Sequence, residues 1–156
     1  MKKKYLFVLI VFGITFLDQI TKVYIERTIG LYQNIEVIEN IFSITHIRNK
    51  GVAFGLLSNN DSIFALSFFI IATLLAMTAI IFLYKNLPER KYIPQIGLSM
   101  IFAGAVGNLI DRIRLGEVID FLDFHWYEYH WPSFNLADSS ITVGVIIFIL
   151  TLMYSR

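Results

Sequence analysis

Cysteine is absent from all 156 positions of the chain. That excludes a disulfide framework, a thiol nucleophile and a thiolate zinc site. Charge is also scarce: Asp, Glu, Lys and Arg make up 16% of the residues and nearly cancel, leaving a formal net charge of +1. There is no concentrated basic stripe, so nothing supports a nucleic-acid partner. No Gly-x-Ser-x-Gly turn occurs, and acyl-enzyme chemistry has little support. Internal repeats and low-complexity tracts are missing as well, which points to a single domain over 1–156 rather than two.

What the chain has in quantity is apolar length. Hydrophobic residues make up 56% of it, with a mean hydropathy of +0.65, too apolar for an ordinary soluble domain. A run of about 17–25 residues with few charges crosses roughly 30 Å of hydrocarbon. Four such runs are predicted: about 5–25, 63–83, 92–110 and 137–154. The expected fold class is an all-α integral membrane protein, a four-helix transmembrane bundle. Lys2, Lys3 and Lys4 precede the first run, and Lys85, Arg90 and Lys91 crowd the link between the second and third. The positive-inside rule places both on the cytoplasmic side, and an even number of spans returns the C-terminus there. Lys2–Lys4 and Tyr5–Leu17 have the charged and apolar parts of a signal peptide. No small-residue cleavage site follows, and Asp18-Gln19-Ile20-Thr21-Lys22 continues the helix, so a retained first span is expected.

Two long segments then lie outside, about 28–62 and 112–136. Ile35 to Ile47 is rich in β-branched and aromatic residues, and Asn49-Lys50-Gly51 supplies a turn before Val52-Ala53-Phe54-Gly55. A small β-cradle on the outer membrane surface and a self-packed hairpin cap fit this pattern equally. The second segment is an outer loop whose Phe121, Phe124, Trp126, Tyr127, Tyr129, Trp131 and Phe134 read mainly as an interfacial aromatic belt, touching membrane lipids. His125 and His130, five apart, fit no familiar zinc pattern, and interfacial hydrogen bonding is expected of them and of His46.

Polar residues inside or beside the apolar runs are the functional candidates. Asp18 and Lys22 stand one helical turn apart in the favourable order for an ion pair. Gly104, Asn108, Asp111 and Arg112 share one helix face, with Gly107 leaving room for a close neighbour. Asp111 fits a ligand-facing role and a structural ion pair with Arg112 alike. Asp120 in Val118-Ile119-Asp120-Phe121 and Asp138 in Asn135-Leu136-Ala137-Asp138-Ser139 both fall near one membrane boundary. Two adjacent carboxylates cannot both ionise easily, so one keeps a proton while the other is a base. Such a pair activates water: the base deprotonates it for attack on an amide, and the acid polarises the carbonyl oxygen. A small transporter subunit would also place acids in a bundle, though transporters usually show repeats or broken helices. A non-catalytic membrane assembly protein would explain the spans but not the paired acids.

Five blocks in order carry a specific resemblance. They are Asp18-Gln19-Ile20-Thr21-Lys22, Asn49-Lys50-Gly51-Val52-Ala53-Phe54, Gly107-Asn108-Leu109-Ile110-Asp111-Arg112, Val118-Ile119-Asp120-Phe121, and Phe134-Asn135-Leu136-Ala137-Asp138-Ser139. Together the chain resembles lipoprotein signal peptidase, the bacterial signal peptidase II family of membrane aspartic endopeptidases. The resemblance implies that Asp120 and Asp138 are the catalytic pair, that Asn108, Arg112 and Asn135 position substrate and orient the acids, that Asn49 belongs to a cradle closing over the peptide, and that Asp18 supports the site. It leaves Asp111 and Lys22 as structural or uncertain. It further implies a diacylglyceryl-prolipoprotein substrate cut N-terminal to the lipidated cysteine, no metal or organic cofactor, a location in the bacterial cell membrane with the site near the outer face, and inhibition by a peptide-like compound such as globomycin.

Overall fold

In a computed structural model, residues 3–51 and 62–154 are described. Lys2 of the basic N-terminus and the Val52-Ala53-Phe54-Gly55 part of the first outer segment lie outside the described residues. Among the described residues, four helices are long and apolar enough to cross a membrane: α1 (Lys3–Thr28), α2 (Ser62–Asn86), α3 (Tyr92–Leu115) and α4 (Leu136–Tyr154). At 1.5 Å per residue the 26 residues of α1 reach about 39 Å, more than the hydrocarbon thickness.

The helices are not equivalent. In the most apolar stretch of α2 only 6% of residues are buried within the protein, against 50% in α3. A helix such as α2, uncharged from Ile63 to Leu83, has no charged face to protect and turns most of its surface outward. The small residues of α3 place it at the centre, against α1, α2 and α4. A Cβ at Gly104 would overlap the Ala137 carbonyl oxygen and come within 2.7 Å of Ile141 Cγ1. One at Gly107 would meet the Asp18 carboxylate at 2.5 Å and Ala137 Cβ at 3.2 Å. These two glycines therefore let α4 and a buried acid from α1 approach the backbone of α3. Gly104→Val is expected to lower stability by about 1–3 kcal/mol through overpacking; thermal unfolding in detergent measures it, and an unchanged midpoint would contradict the close approach.

Gly116 ends α3 in the left-handed region (φ 76°), its N–H donating to Arg112 O at 3.0 Å. The chain then enters an antiparallel sheet of β1 (Asn34–Ile38), β2 (Phe42–Asn49), β3 (Val118–Trp126) and β4 (Tyr129–His130), in that spatial order. The expected small sheet is present, and it is wider than the first outer segment alone supplies. The second segment has the composition of an aromatic loop, yet Val118, Ile119, Phe121, Leu122 and Phe124 have strand propensity and extend the sheet as β3. In β2–β3 pairing Asn49 faces Val118 and Ile47 faces Asp120, with a bulge between Ile44 and Ile47. Beneath the sheet, Ile25 and Ile29 pack with Ile119 and Phe121, and Leu115 and Leu136 close the cluster. That apolar plug fixes the sheet to the end of α1, the end of α3 and the start of α4.

Candidate active site

The start of α4 is built around Asn135. Its Oδ1 accepts from Asp138 N at 2.9 Å, and Asp138 Oδ2 accepts from Asn135 N at 3.3 Å. This reciprocal pairing is a capping box, and it holds Asp138 in the first helical turn, where backbone N–H groups favour negative charge. The other half of the Asn135 amide does different work. Its Nδ2 donates to Asp120 Oδ1 at 2.8 Å and to Ile119 O at 3.2 Å. Asn135 therefore meets both carboxylates, that of Asp120 through its side-chain amide and that of Asp138 through its backbone N–H.

The sheet brings Asp120 to that point. Phe134 bridges Leu122 in antiparallel fashion, its carbonyl accepting from Phe121 N at 3.0 Å and Leu122 N at 2.8 Å. The segment entering α4 is thus zipped to β3 immediately before Asn135. From β2, Asn49 Nδ2 donates to Asp120 Oδ2 at 2.8 Å, and Asn49 Oδ1 accepts from Gly51 N at 2.7 Å, the expected turn. Asp120 is 2% exposed. Burial, reinforced by the negative charge of Asp138, pushes its carboxyl up to about 6, against the lowering effect of the Asn49 and Asn135 amides and of Lys22.

Asn108 on α3 holds the second acid, its Nδ2 donating to Asp138 Oδ1 at 2.7 Å. The orientation of that amide is dictated from below. Asn108 Oδ1 accepts from Lys22 Nζ at 3.0 Å and Asn135 Nδ2 at 3.3 Å. An ammonium cannot accept a hydrogen bond, so the NH2 group must face Asp138. Lys22 is fully buried, and its three N–H donors meet Asn108, Asp18 Oδ2 at 2.9 Å and Asp111 Oδ2 at 2.8 Å. Asp18 also accepts from Ala137 N at 2.9 Å, fastening α1 to the first turn of α4.

The expected Asp18–Lys22 pair is present, but the expected Asp111–Arg112 pair is not what holds Asp111. Asp111 turns inward to Lys22, Gln19 and Ile119 N. Consecutive helical residues diverge by about 100°, so Arg112 points elsewhere. Its guanidinium lies 5.4 Å from the Phe69 ring centroid, within electrostatic reach of Asp138, Asp111 and Asp120. Gln19 was not singled out from the sequence, although it links Asp18, Gly107 O and Asp111. A polar amide within the first apolar run, beside Asp18, was its available signal. Asp120 lies on strand β3 rather than in a free loop.

The three histidines stand apart from this cluster. His125 and His130 face each other across β3–β4 with rings stacked at 4.7 Å. Their bonds go to Ser43 and Tyr127 O from His125, and to Asp123 from His130. His46 is buried, with Nδ1 bonded to Ile29 O at 2.8 Å, so it closes the end of α1 rather than meeting an interface. Trp126, Tyr129 and Trp131 are exposed on the hairpin, as an aromatic belt requires.

The cluster as a whole presents two carboxylates at one end of the bundle, held by amides and framed by an arginine. It can bind a peptide backbone, hold one proton and polarise a water. Comparison with known proteins points the same way. The profile of the family described as signal peptidase (SPase) II matches residues 10–154. The chain is 53% identical to the lipoprotein signal peptidase of Geobacter metallireducens over 137 residues, covering 88% of this chain and 83% of that protein. It is 39% identical to that of Staphylococcus aureus, covering 98% and 93%. A bacterial membrane enzyme solved by the in meso method at 1.9 Å superposes with a TM-score of 0.84 at 37% identity, covering 96% of this chain and 94% of that one.

Proposed function

The chain belongs to the signal peptidase II family of membrane peptidases, and from that premise we propose that it is an aspartic endopeptidase whose dyad is Asp120 and Asp138. Its substrates are diacylglyceryl-modified prolipoproteins, cut on the N-terminal side of the lipidated cysteine. The observation that carries the reading is the Asn135 side chain, which binds Asp120 through Nδ2 and Asp138 N through Oδ1.

The roles follow from the surroundings of each acid. Asp138, in the first turn of α4 and bonded by Asn108 Nδ2, is suited to be the ionised base. Asp120, buried and pushed to about 6, is the member that keeps the proton. Asp138 takes a proton from water as the oxygen attacks the amide carbonyl, and Asp120 donates to the carbonyl oxygen. Collapse of the tetrahedral intermediate breaks the C–N bond as Asp120 takes back one hydroxyl proton and the proton held by Asp138 passes to the leaving amine, which restores the starting state of the pair. Arg112 binds substrate carbonyl oxygen near the dyad, and Asn49 closes the sheet over the peptide. Asp18 fixes α4 from α1. The helices long and apolar enough to span a membrane support a cell-membrane location, and the positive-inside rule favours Lys3, Lys4, Lys85, Arg90 and Lys91 on the cytoplasmic side and the dyad and sheet at the outer face. Globomycin, as a peptide-like inhibitor, occupies the same cleft.

Two experiments test this. Purified protein given a lipid-modified precursor is expected to release a product beginning at the lipidated cysteine and to leave the unmodified precursor uncut; equal cleavage of both contradicts the substrate assignment. The second concerns pH. Activity requires protonated Asp120, so kcat/KM falls as pH rises through its free-enzyme value. Asn49 donates to the ionised form, so Asn49→Ala moves that alkaline limb to higher pH. A limb that stays in place or moves down would assign the titration to another group.

A further inference from the structure

At the end of the bundle away from the sheet, α1 and α2 enclose a groove of about 690 Å³. Its floor is apolar, formed by Phe7 and Val8 of α1 and Ile81 and Tyr84 of α2. Its rim is basic: Lys3, Lys4 and Lys85, opposed by Glu89 alone. Lys3 is partly committed, donating to Lys85 O at 3.0 Å and Leu87 O at 2.6 Å while Tyr84 OH donates to Lys3 O at 2.7 Å. Those bonds cap the C-terminus of α2 and lock the two helices at the mouth. Among the described residues neither Lys4 nor Lys85 pairs with a carboxylate.

We infer that this groove binds one anionic phospholipid, with the headgroup phosphate between Lys4 and Lys85 and an acyl chain along Phe7, Val8 and Ile81. Charge and depth both favour that occupant. Lys3 opens α1 and Lys85 is the last residue but one of α2, so the cations stand where a span leaves the hydrocarbon and headgroup phosphates lie. The apolar floor continues inward from them, at the depth of acyl chains. A basic recess between transmembrane helices on the cytoplasmic side is suited to an anionic headgroup. Nothing in the peptidase chemistry uses these residues, which lie at the opposite end from the dyad.

Native mass spectrometry of the full chain, released from nanodiscs holding equal phosphatidylglycerol and phosphatidylcholine, reads the preference. One retained lipid is expected, anionic over zwitterionic by about tenfold or more, since each lysine near the surface contributes on the order of a several-fold preference. Lys4→Gln with Lys85→Gln reduces that ratio to about threefold or less, and Glu89→Gln raises it. Val8→Trp fills the groove without changing charge and abolishes retention. Inorganic phosphate at matched ionic strength leaves the lipid in place. Precursor cleavage by the double lysine variant in zwitterionic detergent is unchanged, which shows that it is folded. Equal retention of both lipids, an unaltered ratio in the double variant, retention in Val8→Trp, or displacement by inorganic phosphate would each overturn the assignment.

Discussion

Asp138→Asn and Asp120→Asn are each expected to lower kcat by about 1,000-fold or more, because each removes one half of the acid–base exchange. Asparagine preserves size but can neither take a proton from water nor give one to a carbonyl oxygen. Both acids accept from two donors, Asp138 from Asn108 and Asn135 N, Asp120 from Asn49 and Asn135. An amide group therefore sets one NH2 against a donor and costs about 1–3 kcal/mol of local stability. Thermal unfolding run beside the cleavage assay separates that cost from the catalytic loss. Asp111→Asn gives the contrast: it weakens the Lys22 network and lowers stability, while the folded fraction keeps its turnover within about tenfold. Full cleavage by Asp120→Asn together with none by Asp111→Asn would transfer the dyad role to Asp111.

Lys22→Met is expected to be the most destabilising single change in the helical bundle. Its ammonium is the cation between Asp18 and Asp111, and all three side chains are fully buried. Methionine leaves two buried carboxylates without that cation, a loss of about 3–5 kcal/mol. It also frees Asn108 to flip, because the acceptor side of that amide no longer meets an obligate donor. Adding Asp111→Asn to Lys22→Met removes one orphaned charge, so the double variant should be more stable than Lys22→Met alone. If Lys22→Met unfolds at the temperature of the parent, the buried network is not what joins α1 to α3.

Much of this architecture was legible because membrane spans leave a strong mark. The uncharged run Ile63–Leu83 falls inside α2, and the strand-like Ile35–Ile47 falls on β1 and β2. Asp120 and Asp138 stood out because acids near a hydrocarbon boundary are costly. The partner choices were not legible. Asp18–Lys22 follows from helical periodicity, but the approach of α3 that brings Asp111 to Lys22 depends on Gly104 and Gly107 packing against the start of α4. Periodicity within one helix carries no information about such a neighbour. The same holds for β3: Val118–Trp126 has strand propensity, yet only pairing with β2 and the return of Phe134 makes it a strand that presents Asp120 to Asn135.

The proposed chemistry depends on one proton held between Asp120 and Asp138, and an infrared titration of the carboxylic C=O stretch tests it most directly. A protonated-carboxyl band is expected to titrate with a midpoint of about 6, to vanish in Asp120→Asn, and to shift to lower pH in Asp138→Asn, since the charge of Asp138 raises Asp120. A band that survives Asp120→Asn, or a midpoint indifferent to Asp138→Asn, would contradict the shared proton.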